Sequence, residues 1–211
     1  MEAGTFDCMA RLLLVRHGQS EWNADGRWQG QADPPLSELG RRQAQAAAAA
    51  VGAVDAIVAS PLERAFLTAA VISEAVGVGP VLVEPDLMER HAGEWQGLSR
   101  AQIDEQYPGY LDDRGDDRRR PPGWEDDDVL LDRVLGALDR LLGQLAGADD
   151  VVIVTHGGVI YAIERHLGAG FERIPNLGAR WVSAEAGRLE LGDRLLLVDP
   201  DAVAVTTPDQ I

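Results

Sequence analysis

The 211-residue sequence contains no lysine, a single cysteine and no long apolar run. All 19 basic residues are arginine, which excludes Schiff-base chemistry on a lysine and a P-loop lysine. Cys8 alone cannot form an internal disulfide, and the first ten residues lack the basic start and apolar stretch of a signal peptide. We therefore expect the protein to be cytoplasmic.

Positive charge is also scarce. The 19 arginines stand against 35 acidic residues, so the formal net charge is −16. Nucleic acids and anionic membranes bind cationic faces, and no apolar stretch reaches the roughly 18 residues of a membrane span. We expect neither a nucleic acid nor a membrane as a partner. Small molecules remain, and a homodimer stays open.

Short β-branched or leucine-rich runs alternate with helical patterns, an order that favours parallel strands joined by crossover helices. We predict an α/β fold, a single-domain three-layer sandwich whose mostly parallel central sheet is flanked by helices. The predicted strands are 11–16, 55–59, 81–84 and 150–155, with a C-terminal pair near 179–184 and 194–198. The domain would cover residues 11–198, with 1–10 as a flexible extension and 199–211 as a loose tail.

Capping patterns and apolar stripes predict the helices between these strands. The patterns are Ser37 before 38–51, Ser60 with Pro61 and Glu63, Ser99 with Gln102, and the stripe Leu131, Val134, Leu138, Leu141, Leu142 and Leu145. The segment 107–124 is rich in Asp, Arg, Pro and Gly without periodicity, so we predict a long surface loop. Loops of this length are often lids.

Two histidines follow predicted strands in the same way. The run LLLVRHG puts Arg16 and His17 where one strand ends, and VVIVTHGG puts His156 where another ends, before a helix predicted to begin near Val159. Ligands bind at the carboxyl ends of strands in open α/β sheets. One strand-end histidine is more often structural, but two in matching contexts, one beside an arginine, indicate a functional site. The four histidines have no paired helical spacing, so we expect no metal site.

These motifs, taken in order, resemble the phosphoglycerate mutase-like branch of the histidine phosphatase superfamily. Its signature is Arg-His-Gly followed by Ser/Thr and Asn, and here residues 16–23 read RHGQSEWN. The resemblance continues through SPLERA at 60–65, LME at 87–89 and HGG at 156–158, and covers roughly residues 11 to 185.

The resemblance implies that His17 is a nucleophile that accepts a phosphoryl group. Arg16, Arg64 and His156 would be its phosphate-binding companions. The chemistry agrees, because the charge on a phosphoryl group in transfer needs fixed donors, and a guanidinium is a planar fork that stays cationic. His17 must attack as a neutral imidazole, so an acceptor must hold its other N–H.

The remaining site residues also follow from the resemblance. Glu89 would give a proton to the leaving oxygen, and a phosphate dianion beside it favours its protonated form. Asn23, Gln29 and Gly157 would bind substrate, with Gln29 typical of the phosphatases rather than the mutases of the family. No cofactor and no metal are implied.

The implied function is a metal-independent phosphomonoesterase that acts on a small phosphorylated metabolite through a phosphohistidine intermediate. One alternative is a phosphoglycerate mutase-type phosphoryl transferase, since the run Arg118-Arg119-Arg120-Pro121-Pro122 is similar to an arginine pair near prolines in mutases. Another is a non-catalytic relative that binds a phosphorylated ligand. We expect the loop 107–128 to form the specificity wall, and the sequence does not identify the substrate.

Overall fold

The computed structural model describes residues 10–112, 119–185 and 187–208, and these form an α/β domain. Its strands are β1 (Ala10–Arg16), β2 (Ala56–Ala59), β3 (Leu82–Val83), β4 (Asp150–Thr155), β5 (Gly178–Glu185) and β6 (Arg188–Leu196). Its helices are α1 (Glu21–Ala24), α2 (Glu38–Val51), α3 (Glu63–Val76), α4 (Arg100–Gln106), α5 (Asp127–Gln144) and α6 (Gly157–His166), with 3₁₀ turns at Pro85–Leu87 and Gly93–Trp95.

The strands form one sheet in the order β3-β2-β4-β1-β5-β6. The first four strands in this order are parallel, whereas β5 and β6 run antiparallel to their neighbours. The pairing of β1 with β4 sets Arg16 opposite Thr155. The residues that follow, His17 and His156, therefore leave the sheet side by side at its carboxyl edge.

Helices cover both faces of this sheet, which confirms the three-layer prediction. On β1, Leu12 and Leu14 join a core cluster with α5 and α6, while Leu13 and Val15 join another with α2 and α3. This alternation follows from the period of two in a strand. In the described residues, no helix is both long and apolar enough to span a bilayer.

A third apolar cluster lies outside the sandwich. The Trp95 ring packs edge-on against Trp28 and Trp124, at centroid distances of 5.9 and 5.5 Å, and Tyr107 lies 6.3 Å away. The segment predicted as a surface loop therefore has aromatic anchors at Tyr107 and Trp124. Its residues 113–118 lie outside the described part of the chain.

Two helix starts differ from their predictions. Ser60 does not cap α3, because the N-cap is Leu62 and makes no side-chain bond. The Ser60 hydroxyl lies 2.8 Å from His156 Nε2 instead, so a long-range contact overrides the local pattern. Helix α6 begins at Gly157, two residues before Val159. The helix 38–51 and the Ser99–Gln102 capping box are as predicted.

The C-terminal region also differs. Strand β6 begins at residue 188 rather than near 194, because it forms a hairpin with β5 from its first residue. Residues 199–208 are not a loose tail. Gln43 donates to Ala204 O at 2.8 Å, and Asn176 N–H donates to Thr206 O at 2.9 Å. Gln43 and Asn176 are fully buried, and buried polar groups need partners.

The domain begins one residue earlier than predicted. Ala10, expected in a flexible extension, is the first residue of β1 and is buried. Residues 1–9 and 209–211 lie outside the described ranges.

We predict that Gly40→Ala destabilises the protein by about 1–3 kcal/mol, as overpacking does. Alanine normally stabilises a helix by about 1 kcal/mol relative to glycine. At Gly40, however, a Cβ would lie 2.0 Å from the Gln19 carbonyl oxygen, a backbone atom that cannot move aside as a side chain can. Urea unfolding would measure the change.

Gly136→Ala in α5 is the matched control. Its Cβ would meet nothing closer than the end of the Arg140 side chain at 3.5 Å, so this variant should gain about 0.5–1 kcal/mol. If both variants are equally stable, the close approach of α2 to the loop after β1 does not constrain the fold.

Candidate active site

His17 lies directly after β1, and hydrogen bonds fix both its main chain and its ring. Its main-chain N–H donates to Thr155 O at 3.0 Å, and its Nδ1 lies 2.6 Å from Gly18 O. Because a carbonyl oxygen only accepts, Nδ1 carries the proton and Nε2 keeps a lone pair. The Arg64 Nε–H points to that Nε2 at 3.3 Å. The acceptor that the sequence could not identify is thus the carbonyl of the next residue.

Burial determines the charge state of His17, which is only 2% exposed. Its side chain nevertheless lines a cavity. Burial lowers the pKa of His17 well below its usual 6.5, and the positive charges of Arg64 and Arg16 lower it further. The ring is therefore a neutral imidazole at physiological pH, as a nucleophile requires.

Arg64 lies in the first turn of α3 and is fully buried. It donates to Ala32 O at 2.8 Å and to Gly30 O at 2.9 Å. Burial lowers the pKa of Arg64 to about 10, so the group remains a cation at neutral pH. The two carbonyl oxygens thus fix the plane of the guanidinium beside His17.

Arg16 is the last residue of β1, and its side chain is buried as well. Nη1 donates to Ile174 O at 2.7 Å, whereas Nε has no partner in the described residues. The main-chain N–H of Ile174 donates in turn to the Tyr161 hydroxyl at 2.8 Å. Burial lowers the pKa of Arg16, and the nearby Tyr161 and Glu89 oppose this shift only in part. The unpartnered Nε is a donor left for a ligand.

His156 directly follows β4 and packs edge-on against His17, with 5.1 Å between ring centroids. Ser60 occupies its Nε2, and its buried Nδ1 has no partner in the described residues. Burial first, then Arg64, lowers the pKa of His156 well below 6.5. His156 is not among the residues that line the cavity. Sequence reasoning missed Ser60, although it too follows a strand, β2, at the same sheet edge.

Glu89 lies in an irregular segment between the two 3₁₀ turns and is 8% exposed. Its Oε1 accepts the N–H of Arg90 at 2.7 Å, and its Oε2 accepts the N–H of Gly158 at 3.1 Å. A Cβ on Gly158 would lie 2.2 Å from Glu89 Oε1. Gly158 also lines the cavity, whereas Gly157, the expected substrate-binding glycine, does not.

Asn23 and Gln29, two of the expected substrate-binding residues, both line the cavity. Gln29 Oε1 accepts a hydrogen bond from the Ser20 hydroxyl at 2.6 Å, and Asn23 Oδ1 accepts the Ser20 N–H at 3.3 Å. Asn176, missed in the sequence, donates to His17 O at 2.9 Å and to Asn23 Oδ1 at 3.4 Å. Because the side-chain oxygens of Asn23 and Gln29 already accept hydrogen bonds, the NH₂ groups of these two residues are the donors toward a ligand.

The cavity that joins these groups has a volume of about 560 Å³. Its inner part includes Arg16, His17, Arg64 and Glu89. Its outer wall is mainly aromatic and cationic: Trp28, Trp95, Tyr110, Trp124, Tyr161, Phe171, Arg90, Arg100, Arg120, Arg165 and Arg173, with Asp127 and Glu164 as its acidic residues. The loop 107–128 supplies several of these, in line with its expected role as a wall. Across the described ranges, no group of three or more His, Cys, Asp or Glu has a metal-binding arrangement.

The chain is similar to known phosphatases. It is 41% identical to glucosyl-3-phosphoglycerate phosphatase of Mycolicibacterium vanbaalenii over 186 residues, which cover 82% of each chain. It is 38% identical to a metal-independent phosphoserine phosphatase of Arabidopsis thaliana over 162 residues, 74% of this chain and 67% of that one. The structure of mycobacterial glucosyl-3-phosphoglycerate phosphatase with VO3 superposes with a TM-score of 0.79 at 35% identity, covering 87% of this chain and 98% of that one.

A family model agrees with these relatives, and it extends over most of the domain. Residues 12–191 match the histidine phosphatase superfamily (branch 1), and this range contains every residue of the inner site. The chain therefore belongs to the histidine phosphatase superfamily, as its motifs predicted.

Proposed function

We propose that this protein is a metal-independent phosphomonoesterase that transfers the phosphoryl group of a small phosphorylated metabolite to His17 and then to water. The observation that carries the proposal is the neutral His17 ring, with Nδ1–H bound to Gly18 O and the Nε2 lone pair beside Arg64. A neutral imidazole with a defined free nitrogen is a nucleophile, and buried guanidinium groups balance the charge that it must meet.

In the first step, His17 Nε2 attacks phosphorus and the bond from phosphorus to the ester oxygen breaks. The leaving oxygen takes a proton from Glu89, which must enter this step protonated. Arg16 and Arg64 donate to the equatorial oxygens of the transferred group, where the charge is greatest. The products of the step are the alcohol, a phosphohistidine and the Glu89 carboxylate.

In the second step, water attacks phosphorus and the nitrogen–phosphorus bond breaks. The Glu89 carboxylate accepts a proton from the water, so it returns to its starting form. Inorganic phosphate leaves, and His17 is again a neutral imidazole. The two steps together hydrolyse the ester and consume one water molecule.

The outer wall supports a substrate with a second negative group. Arg100, Arg120 and Arg173 line the cavity, and none has a carboxylate within salt-bridge distance in the described ranges. Such a concentration of cations is notable in a chain of net charge −16 and would attract an anion. Glucosyl-3-phosphoglycerate and phosphoserine, for which two relatives are named, both carry a carboxylate. We propose phosphorylated hydroxy acids as the substrate class.

The cavity and the net charge both bear on the expected partners. A small molecule fits the cavity, and the strong negative charge supports neither a nucleic acid nor an anionic membrane as a partner. The cytoplasmic location and the homodimer stay predictions.

We predict that rapid quenching during turnover traps a phosphoryl group on His17. The adduct should be labile in acid and stable in alkali, as a bond from phosphorus to nitrogen is. Radiolabelled substrate followed by peptide mapping would locate it, with His17→Gln as the unlabelled, inactive control.

Turnover should survive exhaustive chelation, because arginines supply the charge that a metal provides elsewhere.

Three outcomes would contradict this proposal. An acid-stable label on Ser20 would identify another nucleophile, and a requirement for added divalent ions would remove the metal-independent mechanism. A mutase rate with phosphoglycerate well above the hydrolysis rate would favour the phosphoryl transferase.

We predict that Glu89→Gln slows hydrolysis of alkyl phosphates by about 10²- to 10⁴-fold, the usual worth of positioned acid catalysis. An alkoxide is strongly basic and needs the proton, whereas nitrophenolate leaves readily without it. The loss on nitrophenyl phosphate should therefore be much smaller. Steady-state rates on both esters would be compared, and equal losses would show that Glu89 does not act as the acid.

We predict that the free energy of unfolding falls as the pH drops below 6.5, partly because of His17 and His156. Both have a lowered pKa when folded, so in this range the unfolded chain binds protons that the folded chain does not. Each contributes up to about 1.4 kcal/mol per pH unit between the folded and unfolded pKa values. Urea unfolding at several pH values would measure the slope. His17→Asn and His156→Asn should each reduce it, and an unchanged slope would contradict the assignment.

A further inference from the structure

Helix α5 carries an arginine that lies outside the candidate site but binds the segment that contains Glu89. Arg133 Nη1 donates to Asp86 O at 2.6 Å and to Met88 O at 2.8 Å, and Nη2 donates to Glu89 O at 3.1 Å. One guanidinium thus binds three carbonyl oxygens within four residues. Arg133 is not among the residues that line the cavity.

Glu125 fixes the other edge of this guanidinium. Its Oε1 accepts from Arg133 Nε at 2.7 Å and its Oε2 from Nη2 at 2.9 Å, a bidentate pair. Oε2 also accepts the N–H of His91 at 3.0 Å, so Glu125 reaches the same segment from beyond Glu89. Burial alone would raise the pKa of Glu125, but these hydrogen bonds outweigh it and hold the pKa below its usual value. The pair is therefore ionised at neutral pH.

The segment needs such support because its 3₁₀ turn ends at Leu87, one residue before Met88 and two before Glu89. Residues 88–91 belong to neither a helix nor a strand. Apart from Arg133, the Glu89 carbonyl has one further donor in the described residues, the Gln31 side chain at 3.1 Å. The Glu89 carboxylate must reach both the Gly158 N–H and a substrate in the cavity, so a shift of its main chain would misplace it.

We propose that Arg133 is a positioning residue for acid catalysis, which holds the main chain of the 86–89 segment so that the Glu89 carboxyl meets the leaving oxygen. The inference rests on the proposed function, in which Glu89 is the acid. A guanidinium suits this task because its planar fork presents five donors in fixed directions, whereas the ammonium of lysine is a single point. The lysine variant therefore keeps the charge and loses the geometry.

Arg133→Lys tests the proposal through the leaving group. A misplacement of about 1 Å can cost up to about 100-fold in rate, so we expect a loss of about 10- to 100-fold on an alkyl phosphate. The loss on nitrophenyl phosphate should stay within about threefold, because that ester does not need the acid. Inhibition by inorganic phosphate should change less than twofold, because Arg16 and Arg64 are untouched. A merely structural role would lower both rates alike.

Arg140→Lys is the matched control on the same helix. Arg140 contacts the same segment, but through the carboxylates of Glu84 and Asp86 rather than through main-chain carbonyls. It undergoes the same substitution and should change both rates less than twofold. Thermal unfolding of both variants would show whether they are folded at the assay temperature.

The double variant Glu89→Gln with Arg133→Lys completes the experiment. It should be no slower on the alkyl phosphate than Glu89→Gln alone, since an absent acid cannot be misplaced. A multiplied loss, or equal losses of Arg133→Lys on both esters, would overturn the positioning role and leave the proposed function intact. If Glu89→Gln itself shows no dependence on the leaving group, the acid role and the inference fail together.

Discussion

Two buried guanidinium groups, those of Arg16 and Arg64, rest mainly on main-chain carbonyl oxygens rather than on carboxylates. Asp33 approaches Arg64 only at 4.0 Å. A buried cation without a close counter-ion is costly, and the carbonyls of Gly30, Ala32 and Ile174 offset only part of that cost. An anionic ligand would supply the missing charge, so the free energy invested in burying the arginines becomes affinity for a phosphoryl group. Burial, and after it the positive charges of these two arginines, lowers the pKa of His17 and keeps its ring neutral.

The carbonyl oxygens that hold these arginines belong to loops. The site is therefore rigid only if these loops are rigid. Gly30 has φ +53°, and a Cβ there would lie 2.7 Å from Ala92 N, so the loop packs closely on the segment after Glu89. On the other side, Arg194 donates to Glu172 O at 2.8 Å and is held by the buried Glu164. Both supports come from residues distant in sequence, and the donors are therefore oriented before a ligand arrives.

The sequence predicted the structure well where the pattern that specifies an element lies within the element itself. The strand that ends at Arg16, the helix 38–51 and the capping box at Ser99 all have a signal in the local sequence, and all are confirmed. Ser60 shows the limit of such patterns. Its position before Pro61 fits a helix cap, but its partner is His156, 96 residues away, and only the sheet order brings them together.

The contacts of the C-terminal region and the choice between the two glycines after His156 also depend on residues distant in sequence. Residues 199–208 carry no apolar stripe, and they are held by Gln43 and Asn176, whose need for partners appears only once both are buried. Between Gly157 and Gly158, the motif gives no ground to choose. The choice depends on which missing Cβ faces Glu89, and that is a property of how α6 leaves the sheet.

The site is thus divided between two kinds of support. Arg16 and His17 leave the central strand of the sandwich, and Arg64 starts a helix packed on it, so the groups that would hold the phosphoryl group belong to the core. Glu89 belongs to an irregular segment, and its hydrogen bonds to Arg133 of α5 and Gly158 of α6 hold it between these helices. Changes in the outer loops can therefore alter which leaving group meets the acid while the core arginines and histidines keep their register. A common phosphoryl chemistry with varied substrates, as the names of the relatives indicate, is what such a division allows.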